Sequence, residues 1–156
     1  MRVGLGYDSH RLIENETIVL GGVTIPFEKG LEGWSDADVV IHAIMDALCG
    51  ASRLGDIGIL FPPGDERYHA ASSLSLLQNV TGMITSQGLR ISNVDATIVA
   101  EVPLLSPYLP QMCRNLGAAM RIEDERVSVK AKTNEHMGFV GRGEGIAAFA
   151  VVLLEP

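Results

Sequence analysis

At 156 residues, 47% hydrophobic and 20% charged, the chain has the size and composition of one globular domain with its own core, expected to span residues 1–156. Nineteen acidic against twelve basic residues give a net charge of −7, which excludes the broad positive footprint of a nucleic-acid binder. A phosphorylated substrate fits this charge if metal ions, backbone amides and a few placed cations neutralise it locally. No apolar run is long enough to span a membrane, and Met1 to Gly4 alternate like a strand rather than a signal segment, so a cytoplasmic protein is expected. Cys49 and Cys113 lie far apart in apolar surroundings and are expected as buried thiols, not as a disulfide or a CxxC motif.

In chain order, Val3 to His10 alternates with period two, which puts Gly4, Gly6, Asp8 and His10 on one strand face. Ile18 to Leu20 and Val23 to Ile25, joined by Gly21-Gly22, form a hairpin that Pro26 ends. Ser35-Asp36-Ala37-Asp38 has the form of a capping box, predicting a helix from there to about residue 51. On that apolar helix, Asp38, His42 and Asp46 form one polar stripe at i, i+4 and i+8. Gly55 to Gly58 and Phe61 to Asp65 are turn-rich and read as a functional loop. A second helix is predicted from about Ser72 to Gln87, stopped by Gly88, and a strand from Leu89 to Val102 with a bend at Asn93. Ser106-Pro107 opens a third helix predicted to stop near Gly117. A strand over Arg126 to Lys132, a Gly-rich turn over Gly138 to Gly143 and an apolar strand to Leu154 complete the chain. The pattern predicts an α+β sandwich, a mixed or antiparallel sheet covered on one face by helices.

Two constellations carry chemistry. Asp8 and His10 on one strand face, with His42 on a buried helix, form a three-ligand zinc site with an open fourth place, or else hydrogen-bonded core histidines. Asp38 or Asp46, one turn from His42, is placed to accept from its second ring nitrogen. His69 and His136 lack such company. Lys130 to Glu135 ends a strand in cations, a hydroxyl and a carboxylate, which suits phosphate and a hard cation such as Mg²⁺, or simply a solvated strand end. Gly141 to Gly145 presents Arg142 to an anion or a neighbouring subunit, or is a tight turn; Asp56 hydrogen-bonds substrate hydroxyls, or caps a turn.

These motifs, together with Leu20-Gly21-Gly22, Asn93-Val94-Asp95, Pro110-Gln111-Met112 and Gly138 to Gly145, resemble the 2-C-methyl-D-erythritol 2,4-cyclodiphosphate synthase family over nearly the whole chain. The resemblance implies one zinc per chain on Asp8, His10 and His42, and Mg²⁺ or Mn²⁺ placed by Glu135 on the substrate diphosphate. It assigns Asp56 and Gly58 to the methylerythritol end and counts Ser9, Trp34, Ser35, Ile57, Phe61, Asp65 and Asn134 among the further substrate-binding residues. Ala100, Leu104, Leu105, Ser106, Ala131, Lys132 and Thr133 belong by the same resemblance to the cytidine and diphosphate pocket, with Thr133 as a catalytic donor. The family is a homotrimer with active sites between subunits; Phe139, Arg142 and Glu144 match the lining of its central cavity, which has room for an isoprenoid diphosphate. Four positions depart from the family pattern: Trp34 for histidine, Leu104 for lysine, Lys132 for threonine and Pro63 for aspartate. An indole donates one hydrogen bond but carries no charge, so Trp34 is expected to act as a lid, with Lys132 restoring a positive charge near the diphosphate.

Overall fold

The structure is a computed structural model that describes residues 1–156. A long strand β1, Arg2–Glu14, pairs antiparallel with the closing strand β7, Gly145–Glu155. Strand β7 pairs antiparallel with β5, Arg90–Val99, which pairs parallel with β6, Val127–Lys132. The short β4, Lys29–Leu31, extends the other edge, giving the five-stranded order β4-β1-β7-β5-β6. A separate hairpin joins β2, Ile18–Leu20, to β3, Val23–Ile25, through Gly21 and Gly22, both at positive φ.

One face of the sheet is covered. Helix α1, Val39–Ser52, lies against β1 and β7, while α3, Ser73–Ser86, packs on α1 and on α4, Leu109–Met120. Alternation sends Ala148, Ala150, Val152 and Leu154 of β7 into this core and leaves Phe149 and Val151 outside. Small residues under α1 decide how close it comes. A Cβ on Gly4 would meet the Ala47 carbonyl oxygen at 1.9 Å, and one on Gly6 would meet that of Ala43 at 1.9 Å, so both positions admit only glycine. In return Ile41, Ile44 and Leu48 are completely buried, each contributing about 1.5–3 kcal/mol.

Several boundaries differ from those the sequence predicts. Helix α1 begins after Asp38 rather than at Ser35, because the extended Asp38 accepts the Ile41 N–H and is itself the cap. The turn-rich loop contains a short helix, α2, Ile57–Leu60, capped by Asp56, and a 3-10 turn over Glu66–Tyr68. A 3-10 turn at Ser106–Tyr108 precedes α4, which runs past Gly117 to Met120. Gly117 does not stop the helix; it admits the backbone of Ile122 and Asp124, which a Cβ would meet at 3.0–3.2 Å. The Gly138 segment forms one helical turn, α5, Gly138–Gly141. A register shift between Ile91 and Asn93 marks the bend expected there. Cys49 is fully buried, Cys113 partly, and both are free. No helix is long and apolar enough to cross a membrane.

Candidate metal centre and active site

The close approach of α1 to β1 carries His42 to the strand that bears Asp8 and His10. His10 Nε2 lies 2.9 Å from Asp8 Oδ2, His42 Nδ1 lies 3.0 Å from the same oxygen, and the two nitrogens are 3.1 Å apart. A tetrahedral ion with ligands at about 2.1 Å spaces its donors by roughly 3.4 Å, so these three need to spread by only a few tenths of an ångström. The tautomers also fit. His10 Nδ1 donates to the Glu32 carbonyl at 2.6 Å, which leaves Nε2 as the nitrogen that faces the cluster. The donor set, two imidazoles and a carboxylate within 4.8 Å of one another, suits a divalent ion with borderline-soft preferences.

Electrostatics favour a cation at this point. Burial pushes the Asp8 carboxyl up, but the hydrogen bonds and charges of His10 and His42 outweigh it and hold the group well below the usual carboxylate range. Burial pulls His10 down, and Asp8 with the Glu32 carbonyl more than reverses this, raising it. Without an ion, Asp8 thus favours a proton on His10 between the donors, and a metal at this point would take that proton's place.

The hydrogen-bond partner expected for His42 is not the one found. Asp38 is fully buried and committed to the N–H groups of Gly21, Gly22 and Ile41, and burial pushes its carboxyl up to about 6 against their pull. Asp46 accepts the Ile57 N–H at 3.0 Å and holds the start of α2. Neither reaches the ring, because each is drawn to a loose backbone end that lacks any other acceptor. Instead His42 Nε2 lies 3.1 Å from Ser35 Oγ and 3.1 Å from Ser73 Oγ. Ser73 gave no spacing signal, since the fold alone brings α3 to α1.

The cluster opens into a cavity of about 250 Å³ whose walls include Trp34, Ser35, Ile57, Gly58, Phe61 and Tyr68. Met45 and Leu76, unremarkable as core positions in the sequence, also line it. The Trp34 indole N–H donates to the Asp65 carbonyl at 3.0 Å and its ring stands edge-on to His69. His69 thus has a partner, as does His136, whose Nδ1 is 3.0 Å from Glu101 Oε1. Asp65 is turned to Arg67 by a 2.6 Å ion pair, and exposed Asp56 caps α2 by accepting the Ile59 N–H.

The second constellation stands apart. Asp8 pairs with Ala148, Ala148 with Ile98, and Ile98 with Ala131, so Asp8 and Ala131 lie on one row across the sheet, three strand spacings or about 14 Å apart, with Thr133 and Glu135 just beyond the end of β6. There Thr133 Oγ1 donates to Glu135 Oε1 at 2.7 Å, and Lys132, Thr133 and Glu135 are exposed. One exposed carboxylate suits a hard cation held mainly by substrate phosphates. Leu104 is exposed and Leu105 buried, while Ala100 still donates its N–H to the Lys132 carbonyl at 2.9 Å beyond the end of β5. None of these residues lines the cavity. Arg142 pairs with Glu144 at 2.7 Å beside the half-exposed Phe139.

A three-donor cluster left open toward a pocket, on an α+β sheet covered by helices, defines a metal-site enzyme with room for a ligand at the ion. The YgbB family model matches residues 1–155, and the chain belongs to that family. It is 56% identical over 154 residues to the 2-C-methyl-D-erythritol 2,4-cyclodiphosphate synthase of Symbiobacterium thermophilum, covering 99% of this chain and 98% of that one. Among solved structures, the bifunctional IspDF of Campylobacter jejuni matches with a TM-score of 0.94 at 37% identity; the match covers 98% of this chain and 42% of that longer protein. A 2C-methyl-D-erythritol-2,4-cyclodiphosphate synthase in its CDP-bound form matches with a TM-score of 0.90 at 34% identity, over 99% of this chain and 100% of that one.

Proposed function

We propose that this chain converts 4-diphosphocytidyl-2-C-methyl-D-erythritol 2-phosphate to 2-C-methyl-D-erythritol 2,4-cyclodiphosphate and CMP, in the non-mevalonate isoprenoid pathway. An oxygen of the substrate's 2-phosphate attacks the β-phosphorus, the bond from that phosphorus to the bridging oxygen breaks, and the electron pair leaves on CMP. No protein nucleophile enters, so catalysis consists of positioning and neutralising two phosphates. The observation that carries this reading is the cluster of Asp8, His10 and His42 at the pocket, in a chain of this family.

When bound, zinc at that cluster and Mg²⁺ or Mn²⁺ beside Glu135 supply Lewis-acid neutralisation of the phosphoryl oxygens. The chain's own groups do the rest. Ser35 offers a hydroxyl to a phosphoryl oxygen, while Ile57, Gly58 and Phe61 wall the methylerythritol end, and Asp56, at the N-cap of α2 beside them, accepts from its hydroxyls. Trp34, clasped to Asp65, closes the pocket against water. At the other end Ala100, Leu104, Leu105, Ser106, Ala131 and Asn134 hold cytidine, with the backbone serving at buried Leu105. Lys132 neutralises the diphosphate, and Thr133 donates to the charge that develops on the leaving group.

A cavity of about 250 Å³ is small for the whole substrate, and the two constellations lie three strands apart in one chain. Both facts favour a site completed by a second copy. Val3, Leu5, Tyr7, Phe149 and Val151 form an exposed apolar strip on the uncovered face of the sheet, with Leu5 70% exposed. A homotrimer buries that strip, sets the Glu135 end of one subunit over the Asp8 pocket of the next, and leaves Phe139, Arg142 and Glu144 around a central cavity suited to an isoprenoid diphosphate. Mixed trimers test the shared site. His42→Ala subunits, inactive alone, and Glu135→Gln subunits, impaired alone at limiting Mg²⁺, are expected to regain part of the parent's activity at that Mg²⁺ when unfolded and refolded together. No recovery in confirmed mixed trimers would place both constellations in one subunit's site.

A further inference from the structure

Segment 34–36 runs beside residues 70–71: Ala70 donates its N–H to the Trp34 carbonyl at 2.9 Å, and Asp36 donates its own to the Ala71 carbonyl at 3.1 Å. This pairing sets the Asp36 carboxylate at the first turn of α3. Its Oδ2 accepts the Ser73 N–H at 2.9 Å, and its Oδ1 accepts the Ser73 hydroxyl. A serine hydroxyl has one proton to give. With that proton on Asp36, Ser73 Oγ meets His42 Nε2 only as an acceptor, at 3.1 Å. A metal on Nδ1 would leave the proton of His42 on Nε2, where Ser73 Oγ accepts it. Ser35 Oγ lies at the same 3.1 Å from Nε2 and shares that proton as a second acceptor.

We propose that Asp36 and Ser73 are positioning residues: through the chain Asp36, Ser73, His42 they fix the orientation of the His42 ring, and so the affinity of the metal centre. The inference rests on the reading of Asp8, His10 and His42 as metal ligands. A helix-capping role is separable from it, because the cap uses the Ser73 backbone N–H, whereas the contact with the ring depends on the Ser73 hydroxyl. The buried Ser73 is completely screened from solvent, so water does not replace the lost oxygen.

The test uses the full chain and Zn²⁺ itself. Competition with a chelator of known affinity reports zinc binding, and circular dichroism confirms that each variant folds. Ser73→Ala is expected to weaken zinc about 10- to 100-fold, while Ser73→Thr, which keeps the hydroxyl, binds zinc close to the parent. Unchanged zinc affinity in Ser73→Ala, or affinity weakened as much in Ser73→Thr, overturns the proposal. His42→Ala in the same titration separates the two layers. Zinc retained there removes the ligand assignment itself, whereas zinc lost there but unaffected by Ser73→Ala rejects only the relay.

Discussion

Gly6 on β1 faces the carbonyl of Ala43 on α1 so closely that a methyl group at Gly6 would meet the oxygen at 1.9 Å. His42 precedes Ala43, and Asp8 follows Gly6 on the same strand face, so this contact sets the distance between the two halves of the metal centre. Gly6→Ala must push the helix away, because a backbone carbonyl has no rotamer to yield. The variant is expected to lose more than about 2 kcal/mol of stability and most of its zinc, read by urea unfolding and metal analysis. Gly82, inside α3 with nothing near its Cβ position, is the control. Gly82→Ala is expected to gain about 0.5–1 kcal/mol and to keep its zinc.

Removing the metal exposes the titration of the centre. Asp8 is held below its ordinary value near 3.8, so its contribution to stability is present above that value and lost only as pH falls through its folded value. His10 is raised above 6.5, so its contribution is present below 6.5 and lost as pH rises through its folded value. The chelated protein is therefore expected to melt progressively lower as pH rises above 6.5, and the zinc-saturated protein to hold its melting temperature there, since the ion binds neutral imidazole. A flat melting curve for the chelated protein over that range would remove His10 from the account, and His10→Ala should flatten it.

Trp34 differs from the family's usual histidine, and its indole N–H bonds the Asp65 carbonyl rather than pointing at the metal cluster. As a clasp it needs bulk more than charge. Trp34→Ala is expected to lower turnover more than Trp34→His does, with zinc content unchanged in both. Parent-like turnover in the alanine variant would drop this loop from catalysis.

Glu135 accepts from Thr133, and in the proposed function its remaining oxygen lone pairs meet a hard cation. Glu135→Gln replaces a charged ligand with a neutral amide oxygen, so the variant is expected to need at least about tenfold more Mg²⁺ for half-maximal rate while keeping its zinc. An unchanged Mg²⁺ dependence would take Glu135 out of the second metal's site.

The period-two strand carrying Asp8 and His10, the hairpin at Gly21-Gly22 and the apolar helix of His42 were legible because each follows from local periodicity or turn chemistry. The family resemblance joined them into one centre. Helix ends were less legible: Asp38 competes with Ser35 as cap, and Gly117 looks like a stop until the backbone of Ile122 and Asp124 is seen pressed against it. Ser73 and Asp36 were not legible as partners of His42 at all. A hydrogen bond across 31 residues, between two helices, leaves no spacing in the sequence. The stripe of Asp38 and Asp46 instead suggested a contact that loose backbone N–H groups claim first.

The central claim is that the substrate's own phosphate closes the ring. Phosphorus NMR of the purified, zinc-loaded protein incubated with Mg²⁺ and 4-diphosphocytidyl-2-C-methyl-D-erythritol 2-phosphate tests it in one spectrum. The account predicts two coupled resonances of a cyclic diphosphate and the single resonance of CMP, growing together as the substrate signals decline, and no such change with His42→Ala. CMP formed alongside a linear diphosphate or free phosphate would mean that water, not the 2-phosphate, attacks, and unconsumed substrate would mean that this chain does not catalyse the reaction.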